Sequence, residues 1–228
     1  HIGLTGGAAV HGWTCTVGST YLLMAGEAIN VNVTLEAAGY LQGGDAVWFC
    51  VTATSKNDTA VRDMVLLNAI IPAHTGLELW CDEPVLPVDP GLSVSFQVNA
   101  RNTGNVDDLC DLGLEVRDPG WEAALRFSSL GLSSGKTEQF LVNVTPSPSL
   151  RADDAGLFLV RGRSRADPAL SAELTLKAIV NPSYFIRAQT GALVEQVFPG
   201  GAATFNITLE NIGNANDMAR LDLVSSSL

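Results

Sequence analysis

The chain has 228 residues, 46% of them hydrophobic and 16% charged, so a sizeable core is available and wholesale disorder is not expected. Its formal net charge of −11 argues against nucleic acid and anionic membrane surfaces as partners, since both call for a basic footprint. No apolar run approaches the ~18 residues of a membrane-spanning helix, and no signal peptide is visible where His1 opens into "HIGLTGG".

An internal repeat of 109 residues orders the elements along the chain. Residues 1–73 match 110–182. Gly26 meets Gly135, Asp45 meets Asp154, Phe49 meets Phe158, Ser55 meets Ser164, and Ala69 and Ile70 meet Ala178 and Ile179. "HGW" at 11–13 meets "PGW" at 119–121 with one residue of slippage. This stretch reads as the C-terminal part of a repeat.

Residues 74–182 form a complete unit whose apolar residues alternate with period two, the pattern of half-buried strands. "LELWCDEPV" comes first. "SVSFQVNA" then places Val94, Phe96 and Val98 on one face, and "LCDLGLEV" does the same with Leu112, Leu114 and Val116. A short strand follows Trp121. "EQFLVNVT" turns Phe140, Val142 and Val144 inward, "GLFLVRG" is apolar on both faces like a central strand, and "AELTLKAIV" groups Leu174, Leu176 and Ala178. Turns at Asp89-Pro90-Gly91, Asn102-Thr103-Gly104-Asn105, Asp118-Pro119-Gly120, Ser133-Ser134-Gly135 and Ala166-Asp167-Pro168 separate them.

Residues 183–228 match the start of the unit. "FPGGAATFNITLENIGNAND" (198–217) lies without a gap over "DPGLSVSFQVNARNTGNVDD" (89–108). The expected class is all-β, as tandem seven-stranded immunoglobulin-like β-sandwiches. The links "IIPAHTG" and "IVNPSY" are short and each contains a proline, which predicts semi-rigid beads.

Candidate chemistry is sparse. "GLSSG" (131–135) fits G-x-S-x-G with Ser133 as nucleophile, but a strand follows it and no histidine lies beyond His74, so no catalysis is expected. His1, His11 and His74 are too scattered for a zinc or general-base constellation. The loop "NTGNVDDLC" offers Asn102, Asn105, Asp107 and Asp108 as hard oxygen ligands for calcium. Its second copy, "NIGNANDMA", keeps Asn-x-Gly-Asn and the last Asp only, which favours a turn in which Gly104 supplies positive φ. No other cofactor is suggested.

Cys15 and Cys50 lie in one copy and Cys81 and Cys110 in the next, none with a cysteine at its repeat counterpart. Intradomain disulfides Cys15–Cys50 and Cys81–Cys110 are expected, each contributing roughly 3 kcal/mol, against the alternative of buried free thiols. Asn32, Asn57, Asn143 and Asn206 head N-x-S/T sequons, and three of the four are expected in strands with the asparagine facing out. Arg161, Arg163 and Arg165 form a stripe suited to an anionic glycan or an acidic neighbour, or else to cross-strand carboxylates. Trp13 and Trp121 are repeat-equivalent and expected in the core, whereas Trp80 is the better exposed platform for a sugar.

A strand ending in "NTGN" or "NIGN", then Asp, a further strand and "GW", resembles the tandem immunoglobulin-like repeats of prokaryotic, especially archaeal, cell-surface proteins related to the CARDB and NEW3 families. The resemblance implies an extracellular, non-catalytic spacer, adhesion or assembly segment, with carbohydrate- or protein-binding accessory modules of a surface enzyme or adhesin as the alternative. Neighbouring repeats of the same protein are the expected partners, and glycans are a second class. The frame of the repeat suggests either that flanking sequence completes both outer units, or that the 183–228 segment of one chain completes residues 1–73 of the next by strand exchange, giving a filament.

Overall fold

The computed structural model describes residues 2–4, 9–10, 12–18 and 20–224. Every regular element among them is a strand, eighteen in all. The first unit contains β1 (Ile2–Leu4), β2 (Ala9–Val10), β3 (Trp13–Val17), β4 (Thr20–Tyr21), β5 (Val33–Ala37), β6 (Ala46–Ser55) and β7 (Arg62–Ile70). They form two sheets of order β4-β1-β6-β7 and β2-β3-β5. Trp13, Cys15, Val47 and Phe49 pack between them with Val33, Leu35, Leu41, Ala69 and Ile71.

The middle unit contains β8 (Leu77–Cys81), β9 (Val85–Val88), β10 (Val94–Asn102), β11 (Asp108–Val116), β12 (Trp121–Leu125), β13 (Ser129–Leu132), β14 (Thr137–Pro146), β15 (Ala155–Ser164) and β16 (Ser171–Val180). Its sheets run β12-β14-β10-β8 and β13-β11-β15-β16-β9. In the lettering of immunoglobulin domains the first sheet reads D-E-B-A and the second contains C-F-G, so this unit is an immunoglobulin-like sandwich on topology alone. Alternate residues of both sheets fill the core: Phe96, Val98, Val142, Val144, Phe158, Val160 and Leu176 are all 0% exposed.

The unit has nine strands where seven are expected from the sequence. "LELWCDEPV" divides at Asp82-Glu83-Pro84. β8 pairs with β10, then the chain crosses to the other sheet, where β9 runs parallel to β16. Pro87 is tolerated in β9 because that strand is an edge, with no partner needed on its other side. The other addition is β13, "SLGL", which extends the second sheet beside β11.

The third unit is a two-stranded ribbon, β17 (Ile186–Thr190) and β18 (Ile207–Asn211). Residues 217–224, which lie over the start of β11 at the repeat offset, form no strand. β11 is held between β13 and β15, and neither has an equivalent among the described residues after β18.

The cysteines require a correction, since all four thiols are free. Cys15 is buried between the sheets, whereas Cys50 stands on the outer face of β6, between the inward Val47–Phe49 side and solvent, and meets Met64 at 3.7 Å. A bridge would have to pass through the sheet. Cys81 and Cys110 both face the core, but Cys110 lies over Gly162 with Leu77 and Leu79, and Cys81 is one inward position further along β8. Burial pushes the Cys110 thiol up to about 11, against a backbone hydrogen bond from Arg163, with Asp108 and Asp111 adding to the rise. A high thiol pKa suppresses the reactive thiolate. In denaturant without reductant, four thiols are therefore expected to titrate. In the native protein Cys50 should react first, and Cys15 and Cys110 only on unfolding. A titre of two or fewer would contradict the unpaired arrangement.

Candidate functional site

The recurring Asn-x-Gly-Asn segment builds the most organised polar site in the molecule, at the boundary between units. Asn102 ends β10 and its side chain is 1% exposed. Its Oδ1 accepts the Gly104 N–H at 2.9 Å, and its Nδ2 donates to the carbonyls of Val106 at 2.7 Å and Leu132 at 3.0 Å. This is an Asx turn with its donor end anchored in the sandwich. Gly104 is required for space, not for the positive φ expected from the sequence. Its φ is not in the left-handed region, but a Cβ there would stand 2.5 Å from the His74 carbonyl oxygen and 2.9 Å from the Gly76 nitrogen.

That close approach presents Asn105 to the linker. Its Oδ1 accepts the His74 N–H at 2.8 Å, its Nδ2 donates to the Pro72 carbonyl at 3.0 Å, and its own N–H donates to the His74 carbonyl at 3.1 Å. Its carbonyl accepts the Gly43 N–H of the first unit at 2.8 Å. The Gly43 loop is itself set by Asp45, whose Oδ2 accepts the Gln42 N–H at 2.8 Å, and by the exchange of Gly44 N–H to Ile71 carbonyl and Ile71 N–H to Asp45 carbonyl, both 2.9 Å.

Every bond of Asn105 and of the Gly43 loop recurs 109 residues on. Asn214 accepts the Ser183 N–H at 2.6 Å through Oδ1, donates through Nδ2 to the Asn181 carbonyl at 2.9 Å, and its carbonyl accepts the Ala152 N–H at 3.0 Å. Asn211 bonds Gly213 and Ala215 as Asn102 bonds Gly104 and Val106. Asp154 accepts the Arg151 N–H at 2.7 Å, and Asp153 holds the left-handed φ of 67° that Gly44 holds at 93°. At about 1 kcal/mol net per neutral hydrogen bond, the four bonds of Asn105 favour the closed junction by a few kcal/mol, enough to keep it mostly closed.

The calcium candidates are engaged elsewhere. Asn102 and Asn105 act as described, Asp107 Oδ1 accepts the Ser134 N–H at 2.8 Å, and Asp108 Oδ1 accepts the N–H groups of Leu109 at 2.7 Å and Ala166 at 3.0 Å. Burial disfavours the Asp108 carboxylate, but hydrogen bonds from Ser164, Ala166, Leu109 and Arg165 outweigh it and hold its pKa below the ordinary range. The four side chains are thus taken up by backbone groups, Asn102 and Asp107 both on the stretch 132–134, Asn105 on the linker and Asp108 on Leu109 and Ala166. No group of three or more His, Cys, Asp or Glu converges among the described residues.

The remaining expected sites resolve individually. Ser133 sits in the turn between β13 and β14, where its carbonyl accepts the Lys136 N–H, so "GLSSG" is a strand-to-strand corner. His74 contributes its backbone to the junction, and His1 and His11 lie outside the described residues. Arg161 pairs with Glu173 at 2.6 Å and Glu115 at 3.4 Å, Arg165 with Asp111 at 2.7 Å, and Arg163 donates to the Pro168 carbonyl, so the stripe is bound across strands. Trp13 and Trp121 are buried as expected. Trp48, not Trp80, is the exposed indole, at 63%, because it alternates outward between Val47 and Phe49 while Trp80 is half-buried. All four sequon asparagines are exposed, but only Asn143 lies within a strand. Asn32 and Asn206 each precede one by a residue, and Asn57 is in a loop.

No family model matches the chain, and no curated protein does. Among solved structures, domains 4 and 5 of the S-layer protein SbsC align over 79% of this chain and 98% of theirs, at 12% identity and a TM-score of 0.36. The Escherichia coli alpha-2-macroglobulin aligns over 73% of this chain and 11% of its own, at 14% identity and 0.37. A FixG-related protein from Vibrio parahaemolyticus aligns over 46% and 95%, at 7% identity and 0.35. These are loose likenesses between β domains, and the sandwich assignment stands on the strand order given above.

Proposed function

We propose that this chain is a non-catalytic structural segment of a prokaryotic, archaeal-type cell-surface protein of the CARDB and NEW3 kind, in which successive sandwiches are set at a fixed angle by the Asn-x-Gly-Asn clasp. One observation carries the reading: the same set of hydrogen bonds, side chain by side chain, recurs at both junctions at an offset of 109 residues. A flexible linker needs no such set, and a repeated one fixes spacing as well as angle. The acidic surface and four exposed sequons suit an extracellular setting.

The test is orientational. Amide residual dipolar couplings from β6–β7 and from β15–β16 should fit one alignment tensor in the wild type. Asn105→Ala removes two of the four bonds at the first junction, and the couplings should then need two tensors. Asn105→Asp, which keeps the acceptor and loses the donor, should fall between. Two tensors in the wild-type protein would remove the rigid-junction reading. Trp48 supports the carbohydrate-binding alternative, and glycan binding abolished by Trp48→Ala would favour it.

A further inference from the structure

The middle sandwich has a gap at one edge of its first sheet. β8 pairs with β10 only from Val98 to Asn102, because the chain leaves β10 at Asp82-Glu83-Pro84 to cross to the other sheet. β14 pairs with β10 from Val94 onward, so residues 94–97 of β10 have a partner on one side alone. A hollow of about 350 Å³ opens there, lined by Cys81, Asp82, Glu83, Leu86, Ser95 and Gln97. That volume lies at the small end of the range for ligand pockets and gives room for one ring.

The polar side chains around the hollow present acceptors. The Ser95 hydroxyl donates its hydrogen to Asn143 Oδ1 at 2.7 Å, and Gln97 Nε2 donates to Gln139 Oε1 at 2.5 Å. Ser95 Oγ and Gln97 Oε1 are left to accept. Asp82 and Glu83 are exposed, and neither forms an ion pair among the described residues. Their charge reaches the floor of the hollow. Burial raises the Cys81 thiol pKa, a backbone hydrogen bond from Glu83 opposes the rise, and the Asp82 and Glu83 carboxylates add to it. Leu86, packed against the core, supplies an apolar base.

Beyond the hollow the outer face of the sheet is polar and neutral. Ser95, Gln97 and Asn99 of β10 lie opposite Asn143, Leu141 and Gln139 of β14, and none of the six is charged in a chain of net charge −11. Gln139 Nε2 donates onward to Asn99 Oδ1 at 2.8 Å. Asn99 faces outward yet is 4% exposed, set between Gln139 and the half-buried Trp80. The row Gln97–Gln139–Asn99 is therefore bonded and oriented before a ligand arrives, which lowers the ordering cost of recognition.

We propose that this hollow binds one neutral pyranose residue of a glycan. Its ligand needs hydroxyl donors for Gln97 Oε1, Ser95 Oγ and the two carboxylates, and a C–H face for Leu86, and a sugar ring brings both. Asp82 and Glu83 repel uronic and other anionic sugars. The uncharged face alongside gives an organic cation nothing further to pair with, whereas its amides and hydroxyls suit the next sugar of a chain. The site lies on a different unit from Trp48 and goes beyond the structural-segment reading without resting on it.

The experiment is an amide chemical-shift titration of the 228-residue chain with the methyl glycosides of glucose, galactose, mannose and N-acetylglucosamine. Methyl glucuronide and n-butylammonium serve as charged controls. At least one neutral glycoside should shift the amides of Asp82, Glu83, Leu86, Ser95 and Gln97, with a Kd on the order of 1 mM, the affinity that about thirteen non-hydrogen atoms give at ordinary ligand efficiency. Gln97→Leu removes an acceptor and should weaken binding by roughly 10-fold, with Ser95→Ala as a second variant and the β15 amides reporting that the sandwich stays folded. Joint Asp82→Asn and Glu83→Gln should admit methyl glucuronide, and Trp48→Ala should change nothing. No neutral glycoside shifting these amides at about 100 times the expected Kd would overturn the proposal. So would tighter binding of n-butylammonium than of any sugar, or sugar binding that ignores both Gln97→Leu and Ser95→Ala. The dipolar couplings that test the clasp are independent of each of these outcomes.

Discussion

Truncating Phe158 to alanine is expected to destabilise the middle sandwich by about 4 kcal/mol, the upper part of the range for a large core side chain replaced by alanine. Phe158 is 0% exposed and meets Trp121 edge-on, with ring centroids 5.6 Å apart and planes at 77°. The surrounding strands are paired on both sides in the ladder of β11, β15 and β16, so the site cannot collapse around the void. Leu157, its neighbour on the outer face of β15, is 37% exposed, and Leu157→Ala should cost less than about 1 kcal/mol. Native-state amide exchange of β15 would measure both. Equal losses for the pair would mean that β15 does not sort its faces as described.

A second contrast uses the repeat itself. Asn102→Ala removes three hydrogen bonds and leaves the Leu132 and Val106 carbonyls and the Gly104 N–H without their partner, for a loss of roughly 3 kcal/mol. Asn211 makes the corresponding turn bonds to Gly213 and Ala215, but it is exposed and has no bond equivalent to that with Leu132. Water can replace what Asn211→Ala removes, and that variant should lose less than about 1 kcal/mol. Chemical denaturation of the two variants side by side reads the difference. If Asn211→Ala proves as costly as Asn102→Ala, burial is not what gives the turn its weight.

The strands of the middle unit were legible because alternation with period two is written in the side chains. Phe96, Val98, Val142 and Val144 point where their spacing says. The repeat was legible for the same reason, as identity at a constant offset. The division of "LELWCDEPV" into two strands was not, since only the presence of β16 as a parallel partner tells the chain to change sheets at Pro84. The exposure of Trp48 was not legible because its strand is apolar on both faces, so alternation carried no contrast there. The pairing of thiols failed at Cys15 and Cys50, where chain separation says nothing about which side of a sheet a residue occupies.

The junction was half visible. Asn102, Gly104 and Asn105 recur, and so does Asp45 as Asp154, at one and the same offset. Two separate segments recurring with a single period is the signal that they meet. What the linear pattern withholds is the direction of the bond. Asn105 serves the loop of the preceding unit, through a backbone contact to Gly43 that Ala152 makes equally well.

That last substitution has a consequence for how such a chain can lengthen. The clasping asparagine near the front of the middle unit and the receiving loop near its back lie within one 109-residue period, and the loop contributes only a backbone N–H. Copying that period in frame therefore copies both halves of the coupling together, with the Asp154 side chain that sets the loop carried along. Extra length needs no new interface, only another turn of the same genetic duplication.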